Sequence, residues 1–426
     1  MRKHVSRGSC WTGWLLAVVM LLATACAGAT SSGEGGGTAS QQEGGEANTD
    51  QGGTIKIGMT SALTGPYNEY GEGNKRGVEL AIKKWNEQGG INGKQIELKI
   101  LDDQLVPDKA AINMQQLLDD PEIVAIIGPA GSGPALATVP ITEARGMIHI
   151  NPVAQTPDVT YPHGTAQAPR KNVFSFALQN DVESDVLGTF VGQKWKKIGL
   201  IHESTAYGKT GMDLVEKVLQ EKYGLKPVAR EEYNQQTPDM TAQLARIKKA
   251  GAEVVVCVGL GMDLANIRKG MSRLDMNVPL VATNGALSLP YKEGAGELVV
   301  GTIGTMIAAF GHDPLSPEAE EFAKAYVDTY GKDRYWGDSD KPQLFMSLNV
   351  SNAYDGANVL FEAIKRANST ESANVIEAME SMQDFKGVNA VYSFSAQKHH
   401  AIGTDAVGLF EYVKEGEQIK LVPYQE

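Results

Sequence analysis

Cysteine is scarce in this chain, with three in 426 residues. So few cannot staple a fold of that length with disulfides. Basic residues are also in deficit: 39 Lys and Arg stand against 51 Asp and Glu, for a net charge of −12. A general nucleic-acid binder needs a basic surface to neutralise phosphates, so that class is excluded. Long apolar runs are missing beyond the first 25 residues, which excludes a polytopic membrane protein. No HExxH, Cys pair or acidic calcium loop occurs, and neither a metal nor another cofactor is expected. What is present is 42% hydrophobic, enough for a sizeable core, and the length suggests two or three domains.

Several near-motifs fail on their spacing. Gly71-Glu72-Gly73-Asn74-Lys75-Arg76-Gly77 is GxGxxxG, not GxGxxG, and stands well past its strand, so helix entry explains it better than a dinucleotide. Gly208-Lys209-Thr210 looks like the end of a P-loop, but the position of the first Gly is Glu203. Gly131-Ser132-Gly133 is not a nucleophile elbow, because residue 130 is Ala. His399 and His400 are adjacent, so on a strand they face opposite sides and cannot share a metal; a surface role is expected for them. No catalytic constellation emerges, and the chain reads as a non-enzyme.

The N-terminus reads as an export signal. Arg2, Lys3 and Arg7 precede Trp11–Ala25, an uncharged stretch of 15 residues that is short for a spanning helix. It ends in Leu22-Ala23-Thr24-Ala25-Cys26, which resembles a lipobox, although Leu stands one position further out than usual. Cys26 is the expected lipidation site. Residues 27–53 contain nine Gly and no aromatic, Val, Ile or Leu residue, the composition of a flexible tether. Its root-mean-square span is on the order of 30 Å. Removal of residues 1–25 leaves 36 basic against 51 acidic residues, a balance of −15. Cys257 remains in a run of valines, where a buried apolar role is expected.

From Thr54 the pattern turns to short β-branched runs alternating with amphipathic stretches. Strands are expected at Thr54–Met59, Gln95–Leu101, Ile123–Ile127, Met147–Ile150, Ile198–Ile201, Val228–Tyr233, Val254–Val258 and Leu280–Ala282. Helices are expected at Gly77–Glu87, from an Asp108 cap through Ile112 to Leu118, and at Thr210–Tyr223, Thr241–Ala250, Leu264–Leu274, Glu318–Tyr330 and Asn352–Ala367. Val407–Tyr412 and Gln418–Pro423 read as a closing strand pair. Runs such as Val254–Val258 suit strands buried on both faces, and the β-α-β spacing implies parallel sheets with right-handed crossovers. Two such series argue for two α/β lobes. Ligands bind beyond the carboxyl ends of such strands. The turn at Gly128–Pro134 offers backbone N–H groups at a helix start, and the Ser132 hydroxyl adds a donor: a receptor for an anionic or carbonyl oxygen, or a plain helix cap.

Ile55–Met59, Ala62-Leu63-Thr64-Gly65-Pro66, Tyr70-Gly71, Gly89–Gly93 and Asp102-Asp103 together resemble the opening of type I substrate-binding proteins of ABC transporters, in the leucine/isoleucine/valine-binding group. Gly128–Gly133, Asn151-Pro152, His202-Glu203, Tyr207-Gly208 and Ala353–Gly356 extend the likeness to nearly the whole chain after the tether. The resemblance implies two doubly wound, mostly parallel sheets joined by three hinge crossovers. Lobe 1 would be 54–180 plus 305–402, and lobe 2 would be 181–304 plus 403–426. It also implies an extracytoplasmic, lipid-anchored, monomeric receptor that closes on a small amino acid and docks on a permease.

Residue by residue, the resemblance gives Ser132, with Gly133 beside it, to the ligand carboxylate. Val153 lines the same site through its backbone, and Tyr70 and Tyr207 are the aromatic walls. Asp181 stands near the ligand amino group. Three positions depart from the family pattern: Gln155 replaces a Thr or Ser, Asn284 an acid that pairs with the ammonium, and Leu260 an aromatic wall. A zwitterion in a closed cleft needs both charges compensated. An aromatic or aliphatic carboxylate without an amine, or an amide, is therefore the alternative ligand. A ligand-binding sensor and a lipid-anchored hydrolase using Ser132 are the rival classes.

Overall fold

The structure, a computed structural model, describes residues 53–337 and 340–425. The signal, Cys10, Cys26 and nearly all of the tether expected from the sequence lie outside them. Within the described residues the chain builds two sheets. The first holds β1 (Ile55–Ser61), β2 (Ile96–Asp102), β3 (Ile123–Ile127), β4 (His149–Asn151) and β5 (Val173–Ser175), in the order β2-β1-β3-β4-β5. All its pairings are parallel. The second holds β6 (Ile198–Glu203), β7 (Ala229–Tyr233), β8 (Val254–Val258), β9 (Leu280–Ala282) and β10 (Ile303–Ile307). A short hairpin follows, β11 (Phe385–Lys386) with β12 (Val391–Tyr392). The chain then returns to the second sheet as β13 (Val407–Glu415) and β14 (Gln418–Pro423), giving the order β14-β13-β10-β9-β8-β6-β7. Only β13 runs against the others there: its pairings with β10 and with β14 are antiparallel, and the remaining pairings are parallel. All five residues of β8 are buried, as a central strand covered on both faces requires. Its Cys257 is a free, buried thiol.

The helices between strands are α1 (Asn68–Glu87), α2 (Pro107–Leu118), α3 (Ser132–Ala144), α4 (Asn180–Lys194), α5 (Ala206–Tyr223), α6 (Thr241–Lys249), α7 (Gly261–Arg273) and α8 (Leu289–Ala295). After β10 come α9 (Pro317–Tyr330), α10 (Met346–Ala367) and α11 (Ser372–Glu380). α1 begins nine residues before the expected Gly77, so Tyr70 lies on a helical turn, not in a loop. Its Gly77 lets α10 approach: a Cβ there would stand 2.1 Å from the Val350 carbonyl oxygen. In α2, Pro107 opens the helix after Val106, and Asp108 lies in the first turn, where a carboxylate suits the dipole. Ala110, Met114, Leu117 and Leu118 form the buried stripe of α2, which turns Ile112 outward, 65% exposed.

The chain passes between the sheets three times, at 176–179, at 308–316 and at 401–406. The expected crossing at 304/305 falls inside β10, all of which belongs to the second sheet. The crossings lie side by side. Ser175 N–H donates to the His399 carbonyl at 2.8 Å, and Ala308 N–H to the Ala406 carbonyl at 2.8 Å. His399 and His400 are buried here, contrary to the expected surface role. The His399 ring stacks on Phe174 and bonds the Arg170 and Val173 carbonyls; His400 bonds the Ala177 carbonyl at 2.9 Å. Their opposite-facing side chains serve two sides of one hinge.

Candidate functional site

The carboxyl ends of the two sheets face each other across a cavity of about 120 Å³. An apolar cavity of roughly 150 Å³ holds benzene, so this one takes a small solute. On the first-sheet side, the turn after β3 leads into α3, whose first residue is Ser132. The Ser132 hydroxyl oxygen accepts the N–H groups of Gln155 and Thr156, both at 3.2 Å. Both lone pairs are then occupied, and the hydroxyl proton is left to donate into the cavity. The Ser132 and Gly133 N–H groups belong to the first turn of α3 and have no carbonyl one turn back. This wall is a cluster of donors.

The segment after β4 supplies Val153 and Gln155. Asn151 holds it in place: its side chain donates to the Ala154 carbonyl at 2.8 Å and accepts the Ala154 N–H at 2.9 Å. Among the described residues, neither amide atom of Gln155 has a hydrogen-bond partner, and the buried Tyr70 hydroxyl has none either. Buried polar atoms are rarely left so. Both residues line the cavity, where a ligand's polar groups would meet them.

On the second-sheet side, Tyr207 stands on the first turn of α5 and donates to the Thr283 hydroxyl at 2.8 Å. Glu203 explains why the P-loop likeness ends there. Its carboxylate accepts Gly208 N–H at 2.6 Å and Thr205 N–H at 2.8 Å, so the protein's own acid fills the place of a phosphate. Asn284 follows β9 and lines the cavity. Behind it lies Glu183 of α4, fully buried. One Glu183 oxygen accepts Asn284 N–H at 2.9 Å, Asn284 Nδ2 at 3.1 Å and the Thr305 hydroxyl at 2.7 Å. Burial pushes the Glu183 carboxyl up to about 7, against the pull of those donors.

The expected residues Tyr70, Ser132, Gly133, Val153, Gln155, Tyr207 and Asn284 all line this one cavity, as does Leu260. Asp181 does not. It shares α4 with Glu183, but residues two apart on a helix point to different sides. Asp181 turns toward the hinge, where its charge acts on His400 and Tyr161. Leu105, Pro107 and Leu348 add apolar surface that sequence motifs did not single out, and Gln235 and Thr205 add polar surface. No charged side chain is among the described residues lining the cavity.

Beside the cavity the two lobes are tied together. The Tyr67 hydroxyl donates to Asp263 Oδ2 at 3.0 Å and accepts Gln236 N–H at 3.1 Å, and the same N–H reaches Asp263 Oδ1 at 3.1 Å. Tyr67 precedes α1 and Asp263 lies on α7, so this triad spans the cleft. Burial pushes the Asp263 carboxyl up to about 6.

The sequence model of a family described as "Periplasmic binding protein" matches residues 54–417. The Leu/Ile/Val-binding protein homolog 2 of Brucella abortus is 29% identical over 346 residues, covering 80% of this chain and 86% of that one. The leucine-, isoleucine-, valine-, threonine- and alanine-binding protein of Pseudomonas aeruginosa is 25% identical over 328 residues, covering 76% and 82%. Among solved structures, a periplasmic binding protein type 1 from Bordetella pertussis Tohama I is 57% identical with a TM-score of 0.85, covering 87% of this chain and 100% of that one. A branched-chain amino acid transporter substrate-binding protein from Streptococcus pneumoniae, in complex with isoleucine, shares the fold at 23% identity, with a TM-score of 0.72 and coverage of 88% and 100%. The family is extracytoplasmic and binds solutes without catalysis. Among the described residues no helix is long and apolar enough to cross a membrane. The chain belongs to the type I periplasmic binding proteins, in the Leu/Ile/Val-binding family.

Proposed function

We propose that this periplasmic binding protein is the receptor of an ABC importer and captures a small amino acid, branched-chain or related, in the interlobe cavity. The observation that carries the reading is the polarity of the cavity. Donors cluster at one end, at Ser132 and the start of α3, and an amide stands at the other, at Asn284. Leu105, Val153, Leu260 and Leu348 supply apolar wall. A carboxylate suits the first end, an ammonium the carbonyl of the second, and an aliphatic side chain the wall between. The names of the Brucella and Pseudomonas relatives support the same class of ligand.

In this reading Cys26 carries the lipid, residues 27–53 hold the receptor off the membrane, and the closed monomer is the form that meets the permease. The lobes are 54–180 with 305–402 and 181–304 with 403–426, except that the whole of β10 goes with lobe 2 and moves that crossing to 308. Closure bends the three crossings and makes the Tyr67–Asp263 contact.

One observation favours a second reading. Among the described residues no acid stands on the cavity wall, so an aliphatic or aromatic carboxylate without an amine, or an amide, meets no unpaired charge there. A thermal-shift screen of the full chain against amino acids, their des-amino acids and their amides tests the choice, because a ligand that binds only the native state raises its apparent stability. The proposal expects the largest shifts from aliphatic amino acids. Shifts confined to des-amino acids or amides would replace it with the second reading.

A further inference from the structure

Among the described residues lining the cavity there is no acid, yet one lies directly behind the wall. Glu183 comes from the first turn of α4, on the far side of the first crossing from lobe 1. Its Oε1 takes three donors: the backbone N–H and the Nδ2 of Asn284, and the hydroxyl of Thr305 on β10. The residues are 101 and 122 positions apart from Glu183, so the cluster knits α4, β10 and the turn after β9 into one unit.

This arrangement decides which way the Asn284 amide faces. An amide offers a carbonyl oxygen on one side and an NH2 on the other. Only the NH2 can face an oxygen that is already an acceptor at 3.1 Å; the reversed amide would set two lone-pair-bearing oxygens against each other. With Nδ2 tied to Glu183, Oδ1 is turned away from it, and Asn284 lines the cavity. We propose that Glu183 is a positioning residue for recognition: it holds Asn284 with Oδ1 presented to the ligand, so the lobe 2 end of the cavity takes an N–H donor and selects an amino acid over its des-amino counterpart.

The inference deepens the amino-acid reading and rests on it for the class of ligand. It also accounts for a departure noted in the sequence. Asn284 stands where the family pattern has an acid, and here an acid stands one layer deeper, where it supports the amide without meeting the solute.

The test uses the full chain and two probes, L-leucine and 4-methylpentanoate, which differ by the amine. Calorimetry on Glu183→Ala is expected to show L-leucine weakened about tenfold or more, with 4-methylpentanoate within about twofold of wild type. Glu183→Gln keeps an Oε1 acceptor for the same donors and is expected to recover most of the L-leucine affinity. Equal weakening of both probes, or no rescue by glutamine, would mean that Glu183 only supports the fold and would overturn the proposal. A second readout needs no ligand. The side-chain NH2 signals of Asn284 in an amide NMR spectrum, identified by their loss in Asn284→Ala, are expected to move in Glu183→Ala and to stay near wild type in Glu183→Gln. If wild-type protein binds neither probe, the amino-acid reading fails on its own. The spectra then still decide whether Glu183 orients Asn284, and signals unmoved in Glu183→Ala overturn that as well.

Discussion

The two walls of the cavity are built from different materials. Lobe 1 builds its donor end from backbone and a hydroxyl, the start of α3 and Ser132 fixed by the Gln155 and Thr156 N–H groups, with the Tyr70 hydroxyl and the Gln155 amide elsewhere on the same wall. Lobe 2 uses side chains: Tyr207 bonded to Thr283, and Asn284 bonded to Glu183. Backbone N–H groups cannot change their polarity, so the lobe 1 end is a donor site that many small acids can share. An amide held by one acid is a choice of sequence. In the proposed reading, discrimination among acids therefore belongs to lobe 2. The lobe 2 wall is also backed by a buried carboxyl, Glu183 behind Asn284, pushed up to about 7 by burial; Glu69, beside Tyr70 in sequence on α1, is a second buried carboxyl, pushed up to about 8.

The largest effect is expected at the shared end. Ser132→Ala removes the hydroxyl donor and leaves two buried N–H groups unpaired. Hydrogen bonds to charged groups contribute about 1.5–3 kcal/mol, so affinity for amino acids and for des-amino acids alike should fall roughly 10- to 100-fold in calorimetry. A loss confined to one ligand class would break the division of labour between the walls. Asn284→Ala comes next: about tenfold weaker binding of an amino acid is expected, with little change for its des-amino form. Equal losses would assign the α-ammonium to another group, such as the unpartnered Gln155 amide.

The smallest effect concerns stability alone. The Glu69 carboxyl is raised from 4.5 to about 8, chiefly by burial. Between those values the native state keeps a proton that the unfolded chain releases, so this group's contribution to stability is full below about 4.5 and is lost as pH rises toward about 8. Glu69→Gln has no such loss. Its melting temperature relative to wild type should therefore climb between pH 5 and pH 8.5. Parallel curves would show that Glu69 ionises as freely as an exposed acid.

The same contrast explains what could be read in the sequence. Parallel α/β lobes were legible in the valine-rich runs and their spacing, and part of the lobe 1 wall in Gly128–Pro134, because local turn chemistry builds it; Val153 and Gln155 came only through the family resemblance. Lobe 2 was less legible. α4 buries Asn180, Glu183 and Ser184 along with Leu187 and Val191, so no clean apolar stripe marks it as a helix. The resemblance gave Asp181 as the residue near the ligand amino group, but the turn of the helix sends it toward His400 and brings Glu183 to Asn284. β5, with three residues, is too short to stand out. α10 begins six residues before the expected Asn352, because Ser347, Asn349 and Ser351 are buried polar residues that look like loop in a one-dimensional pattern.

In the proposed reading the cleft has two ends, a donor end in lobe 1 and an acceptor end in lobe 2. Calorimetry of the wild-type full chain with L-leucine and with 4-methylpentanoate probes both ends at once. Saturable binding of L-leucine at one site is expected, with 4-methylpentanoate at least about tenfold weaker, the worth of one hydrogen bond to a charged group. Equal or tighter binding of 4-methylpentanoate would contradict that reading.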